Sequence, residues 1–299
     1  MIRPVQFAYN AETAVNNSFQ VASPATLQVQ EKALAEFDAF VQVLRDHHIA
    51  VTVVQDTPEP HTPDSIFPNN WISFHENGTI CLYPMFAENR RKERKQQVLD
   101  TIRQQFTITN TIDLTDHEHA DRFLEGTGSM VLDREHRIAY ACLSPRTDSH
   151  VLQAFCKAMD YQAITFTAVD SKEAPIYHTN VMMCVASQYV IICLDCIPDA
   201  QERAQVTQAI ISSGKVLIII TREQVNHFAG NMLQVYNQEG QPYLVMSEQA
   251  YTSLTQEQLH QINQYNPIIH SSLNTIETNG GGSARCMMAE VFLPAKHPK

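Results

Sequence analysis

A repeated helix, strand and hairpin pattern is the feature that most restricts how this 299-residue chain can fold. Amphipathic helices, each followed by a strand, are predicted where apolar residues recur every three or four positions: residues 27–45, 90–105, 148–159, 200–212 and 255–264. The residues that open the next hairpin, or the final strand, lie about 50 to 60 positions apart: Asn70, Gly128, Asn180, Asn231 and Cys286. A period of this length predicts five modules in one closed ring.

The predicted strands complete the modules. Single strands follow the helices at residues 50–54, 108–114, 163–169, 216–220 and 268–271, hairpins lie at 71–83, 129–142, 181–194 and 232–246, and two more strands lie at 5–9 and 287–292. Asn77 and Gly78 favour a tight turn in the first hairpin. Because no linker separates the modules, we expect a single α/β domain over residues 1–299.

Polar residues that precede the hairpins are expected to meet, because corresponding loops of a ring converge on one central face, as in propellers. These residues are Asp64, Asn69, Asn70, Glu125, His178, Asn180, Asn231 and Cys286. Cys286 follows three glycines and can act as a nucleophile, with His178 as proton shuttle and Glu125 orienting the imidazole. The alternative is a buried cysteine that opens the last strand, with a histidine and a glutamate that only complete loop hydrogen bonds.

The charge balance limits the classes of partner. A formal net charge of -11 disfavours nucleic acids and anionic membranes, which need a basic surface. The basic run at residues 90–95 is interrupted by Glu93 and is interpreted as a solvated helix face. The chain starts without the apolar segment of a signal peptide and has no run of about 18 apolar residues, so we expect a cytoplasmic protein.

Seven cysteines, most of them in apolar strands, are expected to stay reduced. Cys193 and Cys196 have a spacing found in metal and redox sites, but a zinc site needs two more ligands and no second pair of this kind exists. The acidic and histidine cluster at residues 116–121 lies in a polar loop, where a solvated rim is the simpler interpretation. We therefore expect no metal, and both positions remain as alternatives.

Five short motifs resemble those of one enzyme superfamily. Residues 63–70, Pro-Asp-Ser-Ile-Phe-Pro-Asn-Asn, resemble the Pro-Asp-Ser-x-Phe-x-Glu-Asp motif of the dimethylarginine dimethylaminohydrolases. Residues 124–126 and 178–180 resemble the Leu-Glu-Gly-Gly and His-x-Asp motifs of arginine deiminases, 143–147 resemble Leu-Ser-x-Arg-Thr, and 280–286 resemble the nucleophile segment. The chain is thus similar, over essentially its whole length, to the guanidine-modifying superfamily, which also includes the amidinotransferases. The resemblance implies a five-bladed α/β propeller, or pentein, of ββαβ modules with pseudo-fivefold symmetry.

The resemblance also implies roles for the site residues. Cys286 would be the nucleophile, His178 the acid and base, and Glu125 its partner. Arg146 would clamp the α-carboxylate of a free amino acid, since a guanidinium fork binds a carboxylate through two hydrogen bonds. Asp64 would face the α-amino group. No metal or organic cofactor is implied, and a homodimer is left open.

Three asparagines depart from the family pattern: Asn69, Asn70 and Asn180 stand where the family carries acids. A guanidinium without a counter-charge would be costly in a dry pocket, whereas a neutral ureido group matches amides such as these and Asn231. We therefore predict hydrolysis of citrulline to ornithine, carbon dioxide and ammonia, unless another carboxylate compensates the charge. The alternatives are an arginine dihydrolase, a plain deiminase or amidinotransferase and, from a different class, a non-catalytic binding protein.

Overall fold

Strands within residues 1–22 and 26–296, which a computed structural model describes, form five small sheets. Four of the sheets share one plan, in which two strands form an antiparallel hairpin and a third strand, after a helix, runs parallel to the second. The fifth sheet pairs two short parallel strands. The mixed α/β class and the order of elements within the modules agree with the sequence pattern.

The strands are β1 (Ile2–Arg3), β2 (Val54–Gln55), β3 (Ile72–Phe74), β4 (Thr79–Leu82), β5 (Asn110–Asp113), β6 (Val131–Asp133), β7 (Ile138–Cys142), β8 (Gln162–Phe166), β9 (Met183–Val185), β10 (Tyr189–Ile192), β11 (Val216–Ile219), β12 (Leu233–Tyr236), β13 (Pro242–Ser247) and β14 (Ile268–Ser271). The helices are α1 (Ala11–Ala14), α2 (Thr26–Asp46), α3 (Glu88–Arg91), α4 (Gln96–Gln105), α5 (Gly126–Ser129), α6 (Ser149–Met159), α7 (Ala200–Ser212), α8 (Arg222–Asn226), α9 (Glu248–Ser253), α10 (Gln256–Asn263) and α11 (Asn274–Gly280). β1 pairs with β2, and the successive triples from β3 to β14 form the other four sheets.

Helix α2 shows how the apolar periodicity becomes a core. Phe37, Phe40 and Leu44 lie on one face of the helix and are almost fully buried against α11 and β14. Removing each of these side chains from water contributes roughly 1.5–3 kcal/mol. Helix α6 starts where predicted because the Asp148 side chain accepts hydrogen bonds from two amides of its first turn. Among the described residues, no helix is both long and apolar enough to cross a membrane.

The predicted strands at residues 5–9 and 287–292 do not form. β1 ends before Pro4, whose ring nitrogen carries no hydrogen and cannot extend the ladder. Near the other end, the backbone turns instead of extending, because the amide of Cys286 donates to the Ser283 carbonyl at 3.0 Å. This turn places the cysteine beside the end of α11, a helix that the sequence pattern did not predict.

The predicted helix at residues 90–105 is interrupted, and the interpretation of residues 90–95 as a solvated face is wrong. Helix α3 ends at Arg91 and helix α4 begins at Gln96, so residues 92–95 lie between two separate helices. Arg90 and Glu93 are each only 2% exposed. Ionic contacts therefore turn these charged side chains inward, toward the loops that precede the hairpins.

Candidate active site

The loops that precede the hairpins converge on one buried site. Its side chains come from the segments before β3, β6, β9 and β12 and from the turn after α11. The structure places the following sequence-predicted residues in this site: Asp64, Asn70, Glu125, Arg146, His178, Asn180, Asn231 and Cys286. Asn69 is also buried, but its contact with the site runs through its backbone carbonyl, which accepts from Thr127 at 3.2 Å.

His178 and Glu125 form a buried pair. The His178 Nε2 lies 2.7 Å from the Glu125 Oε2, so Nε2 carries the proton and Nδ1 keeps a lone pair. Burial lowers the pKa of His178 to about 4, although the Glu125 carboxylate opposes the shift. Burial alone would raise the pKa of Glu125, but the Arg146 guanidinium and the His178 hydrogen bond outweigh it and hold that pKa well below its ordinary value. The pair is therefore a neutral imidazole with an ionised partner.

The sulfur of Cys286 faces two amide groups. The Asn231 Nδ2 lies 3.2 Å and the Asn180 Nδ2 3.5 Å from Sγ. The Asn231 amide is fixed in this orientation because its Oδ1 accepts from the backbone amide of Arg285 at 3.1 Å. Donors aimed at sulfur stabilise the thiolate, the form of cysteine that acts as a nucleophile.

Arg146 lies between the site and the N-terminal segment. Its Nη2 donates to the Thr13 carbonyl at 2.6 Å, its Nε donates to the Asn16 Oδ1 at 2.8 Å, and its Nη1 lies 3.5 Å from the Glu125 Oε2. The guanidinium also lies 4.9 Å from the centroid of the Tyr177 ring. In this state a substrate carboxylate reaches Arg146 only if the N-terminal contacts give way.

Asp64 also contacts the N-terminal segment. Its Oδ2 accepts from the Asn10 Nδ2 at 2.8 Å and from the Thr13 Oγ1 at 3.1 Å. Burial raises the pKa of this carboxyl group, and the Arg90 guanidinium opposes the shift. The other carboxylate oxygen, Oδ1, is buried without a hydrogen-bond partner among the described residues.

Two functional candidates were missed by the sequence interpretation, Arg90 and Glu93. Arg90 donates to both oxygens of Glu93, at 2.8 and 3.0 Å, and its Nη1 donates to the Asn70 Oδ1 at 2.9 Å. Burial raises the pKa of Glu93 to about 7, although Arg90 opposes the shift. One feature of the sequence could have indicated this pair: an arginine and a glutamate lie three positions apart at the start of the predicted helix, where few apolar residues support the helical pattern.

Residues 10–20 close the site from one side. The Gln20 Nε2 donates to the Gly280 carbonyl at 2.9 Å, and the Asn17 Nδ2 donates to the Gly281 carbonyl at 3.3 Å. The cavity left beside Cys286 measures about 10 Å³. A cavity of this size holds at most one water molecule, so entry of an amino acid requires residues 10–20 to move.

Unsatisfied polar atoms mark the site as one built for a ligand. Three of the seven buried side-chain atoms that lack a hydrogen-bond partner among the described residues belong to site residues: Asp64 Oδ1, Asn70 Nδ2 and Asn180 Oδ1. Such groups are costly unless something pairs with them. The set contains both donors and acceptors, as recognition of a polar group requires.

The two alternative metal positions do not resemble metal centres. Within residues 1–22 and 26–296, no group of three or more histidine, cysteine, aspartate or glutamate side chains could hold a metal ion. Cys193 and Cys196 are fully buried free thiols. The cluster at residues 116–121 is a short 3₁₀ helix with no buried residue.

The fold defines a member of the guanidine-modifying superfamily, as the sequence motifs predict. The family described as "N,N dimethylarginine dimethylhydrolase, eukaryotic" matches residues 3–293, and the chain belongs to this family. The proteins that this family name describes are hydrolases of carbon–nitrogen bonds. Among curated proteins, none matches the chain.

Solved structures of similar fold include ArgZ, an arginine dihydrolase from the ornithine–ammonia cycle in cyanobacteria. Its N-terminal domain, as an asparagine-to-serine variant covalently bonded to a reaction intermediate, has a TM-score of 0.75 and 17% identity, with 98% of each chain covered. AgrE, as a cysteine-to-alanine variant with L-arginine, has a TM-score of 0.76 and 17% identity, with 99% of this chain and 40% of AgrE covered. An adduct of dimethylarginine dimethylaminohydrolase has a TM-score of 0.60 and 14% identity, with 86% and 90% covered. The chain spans 42% of full-length ArgZ.

Proposed function

We propose that this chain is an arginine dihydrolase, a cysteine hydrolase that converts free arginine to ornithine, carbon dioxide and two molecules of ammonia. Citrulline, the substrate predicted from the asparagines, is then the product of the first hydrolysis and the substrate of the second. We also propose that residues 1–299 form one catalytic domain, with the five sheets arranged as the blades of a pseudo-fivefold propeller. The location of the protein stays a prediction, and a homodimer is left open.

The observation that carries this proposal is the balance of buried charge. Three carboxyl groups, of Asp64, Glu93 and Glu125, surround two guanidinium groups, of Arg90 and Arg146. With all three carboxyl groups ionised, which for Glu93 requires a pH above about 7, and with the imidazole neutral, the site carries one negative charge in excess. Arginine has a net charge of +1 and would balance it, whereas citrulline is neutral. Because Glu93 and Arg90 neutralise each other, the excess comes from Asp64 and Glu125 against the single guanidinium of Arg146.

We assign the first hydrolysis to Cys286 and His178, which line the same small cavity. The sulfur attacks the guanidino carbon after His178 takes the thiol proton, and the amides of Asn180 and Asn231 stabilise the thiolate. The bond from carbon to a terminal nitrogen breaks as His178 passes the proton to the departing ammonia, while Glu125 stabilises the imidazolium. Water, deprotonated by His178, then displaces the sulfur and leaves a ureido group.

The second hydrolysis uses the same groups on the ureido carbon: sulfur attacks, one carbon–nitrogen bond breaks as His178 protonates the departing nitrogen, and a second water displaces the sulfur to give a carbamate that loses carbon dioxide. The carbonyl oxygen gains negative charge when sulfur attacks, and the asparagine amides provide neutral donors for it. A carboxylate at those positions would repel this charge. The chain has amides there, which favours the second attack and supports a dihydrolase over a plain deiminase. In total, two waters are consumed for one ornithine, one carbon dioxide and two ammonia.

The relatives give independent support. ArgZ is an arginine dihydrolase, and AgrE binds L-arginine in the absence of its cysteine. An asparagine-to-serine variant of ArgZ is covalently bonded to a reaction intermediate, which is consistent with a covalent mechanism here. The family match supports N,N-dimethylarginine as a second candidate substrate.

The test is a product assay of the purified protein on arginine, citrulline and N,N-dimethylarginine. We expect ornithine and two equivalents of ammonia from arginine, and ornithine from citrulline. Cys286→Ser should lose at least about a thousandfold in kcat, because it removes the nucleophile of a set that acts together. Cys156→Ser, at another buried cysteine, should keep the activity.

Three outcomes would contradict the proposal. Dimethylamine from N,N-dimethylarginine without turnover of arginine would assign the second candidate. Turnover of citrulline with arginine inert would restore the prediction made from the asparagines. An active Cys286→Ser variant would exclude the covalent mechanism.

A further inference from the structure

A second and larger cavity opens at the end of the modules that lies away from the candidate active site. Residues from the turns of the first three hairpins line it, within residues 75–78, 134–137 and 186–188, whereas the active-site loops precede the same hairpins. The cavity measures about 530 Å³, which is within the range of small-molecule sites. It is therefore large enough for a ligand of its own.

Some of the charged side chains in the wall of this cavity are already paired. The Lys215 Nζ lies 3.6 Å from the Asp133 Oδ2 and 3.6 Å from the Glu135 Oε2. The Arg285 Nη2 donates to the Glu290 Oε2 at 3.1 Å. These contacts leave neither Lys215 nor Arg285 free for a ligand.

Two other arginines of the wall lack a carboxylate partner. Among residues 1–22 and 26–296, neither Arg134 nor Arg137 forms an ion pair with a carboxylate. The Arg134 Nη1 lies 3.3 Å from the His75 Nδ1, and the Arg137 Nη1 donates to the Met159 carbonyl at 3.4 Å. Since a guanidinium has five N–H donors, most donors of both groups remain available.

Aromatic rings hold both guanidinium groups at the wall. The guanidinium carbon of Arg134 lies 4.1 Å from the centroid of the Phe292 ring, and that of Arg137 lies 5.5 Å from the centroid of the Tyr161 ring. Contacts of this kind restrain a guanidinium without using its N–H donors. A ligand would therefore meet groups that have already lost much of their freedom, which lowers the entropic cost of binding.

The charges of the two arginines act on the same neighbours. Burial raises the pKa of the Tyr161 hydroxyl, and Arg134 and Arg137 both oppose that rise. Burial lowers the pKa of His75 to about 3, and the same two arginines add to the fall. The two guanidinium groups thus lie close enough to repel each other, and a bound anion would remove that repulsion.

The chemistry of the wall limits the ligand to a small molecule with one anionic group. Carboxylate and phosphate groups are the partners that match a guanidinium through paired hydrogen bonds. A polyanion is disfavoured, because Glu76 and Glu135 are exposed at the same wall. Apolar side chains such as Val131 and Met183 line the same cavity and can contact the body of the ligand.

We propose that this cavity binds a small molecule through one carboxylate or phosphate group, which Arg134 and Arg137 hold between them. The site is separate from the amino-acid site of the proposed hydrolase. Its inner wall nevertheless includes Asn180, whose Nδ2 lies 3.5 Å from the Cys286 Sγ. The bound molecule and the nucleophile would thus contact the same asparagine.

The experiment is a calorimetric titration of the protein at fixed ionic strength with benzoate, phenyl phosphate and benzamide. The first two probes share a ring and differ in the anionic group, so the tighter of them assigns the ligand as a carboxylate or a phosphate, and benzamide is the neutral control. We expect at least one anion to bind and benzamide not to bind. Arg134→Gln and Arg137→Gln should each weaken binding about tenfold or more.

Two control variants separate this cavity from other sites. Arg122→Gln removes the charge of an exposed arginine outside the cavity, and Arg146→Gln removes the arginine of the active site, so both should keep the wild-type affinity. Arg137 is exposed, so its variant tests the proposal even if Arg134→Gln does not fold.

Three results would overturn the inference. They are no binding of either anion, equal binding of benzamide, and loss of binding in Arg146→Gln while Arg134→Gln and Arg137→Gln bind normally. Because the titration measures binding and not turnover, a protein that proves inactive on arginine would refute the proposed function and leave this test unchanged.

Discussion

At the scale of single residues, burial sets the protonation of His178. The imidazole has lost nearly all contact with water, which lowers its pKa to about 4 even though an ionised carboxylate lies 2.7 Å away. The neighbouring Arg146 and Arg90 add to this shift because they repel a second positive charge. A histidine held neutral in this way is ready to accept a proton from a thiol or a water molecule.

The first prediction concerns the dependence of stability on pH. Below its ordinary pKa of 6.5, His178 takes up a proton in the unfolded chain but not in the folded one, so stability is lost as pH falls from about 6.5 through 4. The contribution of His178 to this loss is about 3 kcal/mol. His178→Gln should remove it and flatten the pH dependence of the free energy of unfolding in this window.

Denaturant titrations at several pH values, followed by the fluorescence of the buried Trp71, would measure this effect. His150→Gln, at an exposed histidine, is the control and should keep the wild-type slope. An equal slope in wild type and His178→Gln would show that His178 is not held neutral.

At the scale of elements, residues 10–20 act as the cover of the site. Helix α1 begins at Asn10, whose side chain both caps the helix and donates to Asp64. Further along, Asn17 and Gln20 bind the carbonyls at the end of α11. One short segment therefore contacts Asp64, Arg146 and the glycine turn, which are the parts of the site that would hold a free amino acid.

The second prediction is that Gln20→Ala loosens this cover. The change removes a hydrogen bond of 2.9 Å to the Gly280 carbonyl, which contributes about 1 kcal/mol to the closed state. We expect KM for arginine to fall by up to about fivefold, because binding requires residues 10–20 to leave the closed position that this hydrogen bond stabilises. The effect on kcat should be smaller, and the thermal midpoint should change little, because the segment packs on the surface of the core. Steady-state kinetics and a melting curve would check this.

Ser18→Ala is the matched control, since this serine makes only a long exposed contact of 3.4 Å with Asp170. A fall in the thermal midpoint as large as that expected for a core substitution would assign residues 10–20 to the folding core instead of a cover.

At the scale of the whole molecule, the first and last described segments join the same region. β1 pairs with β2, and residues 294–296 run beside the end of α4, where Phe106 and Ala295 form an isolated bridge. An apolar cluster beneath them contains Ile2, Ile72 and Leu293. Contacts between distant parts of the chain thus complete the fold where the predicted final strand is missing.

The third prediction tests this closure with Leu293→Ala. The side chain is 4% exposed, and its loss should lower the free energy of unfolding by about 2–5 kcal/mol. For a chain of this size, the thermal midpoint should fall by roughly 5–10 °C. Calorimetry would measure the change. Ile211→Ala, at a residue 54% exposed, should change the midpoint little, and equal effects of both variants would contradict the assignment.

The sequence by itself determined the order of elements within the modules and the superfamily, and it predicts Cys286 as the nucleophile. The family match confirms the superfamily, and helix α7 has the predicted bounds of residues 200–212. These features were predictable because apolar periodicity, caps and short motifs are local properties of neighbouring residues. The same local patterns predicted strands at residues 5–9 and 287–292 that do not form. At the first segment Pro4 ends the strand, and at the second a turn closed by the Ser283 carbonyl replaces the extended backbone.

Only the tertiary structure decided which charges are buried and which end of each buried amide is hydrogen-bonded within the site. The basic run at residues 90–95 has the pattern of a solvent-exposed helix, yet Arg90 turns inward because Asn70, 20 positions earlier, and the Phe67 carbonyl accept its protons. The cover of the site likewise depends on a hydrogen bond between Asn17 and Gly281, which are 264 positions apart. The free energy of a buried charge depends on partners that the fold brings together, and no local pattern in the sequence encodes that proximity.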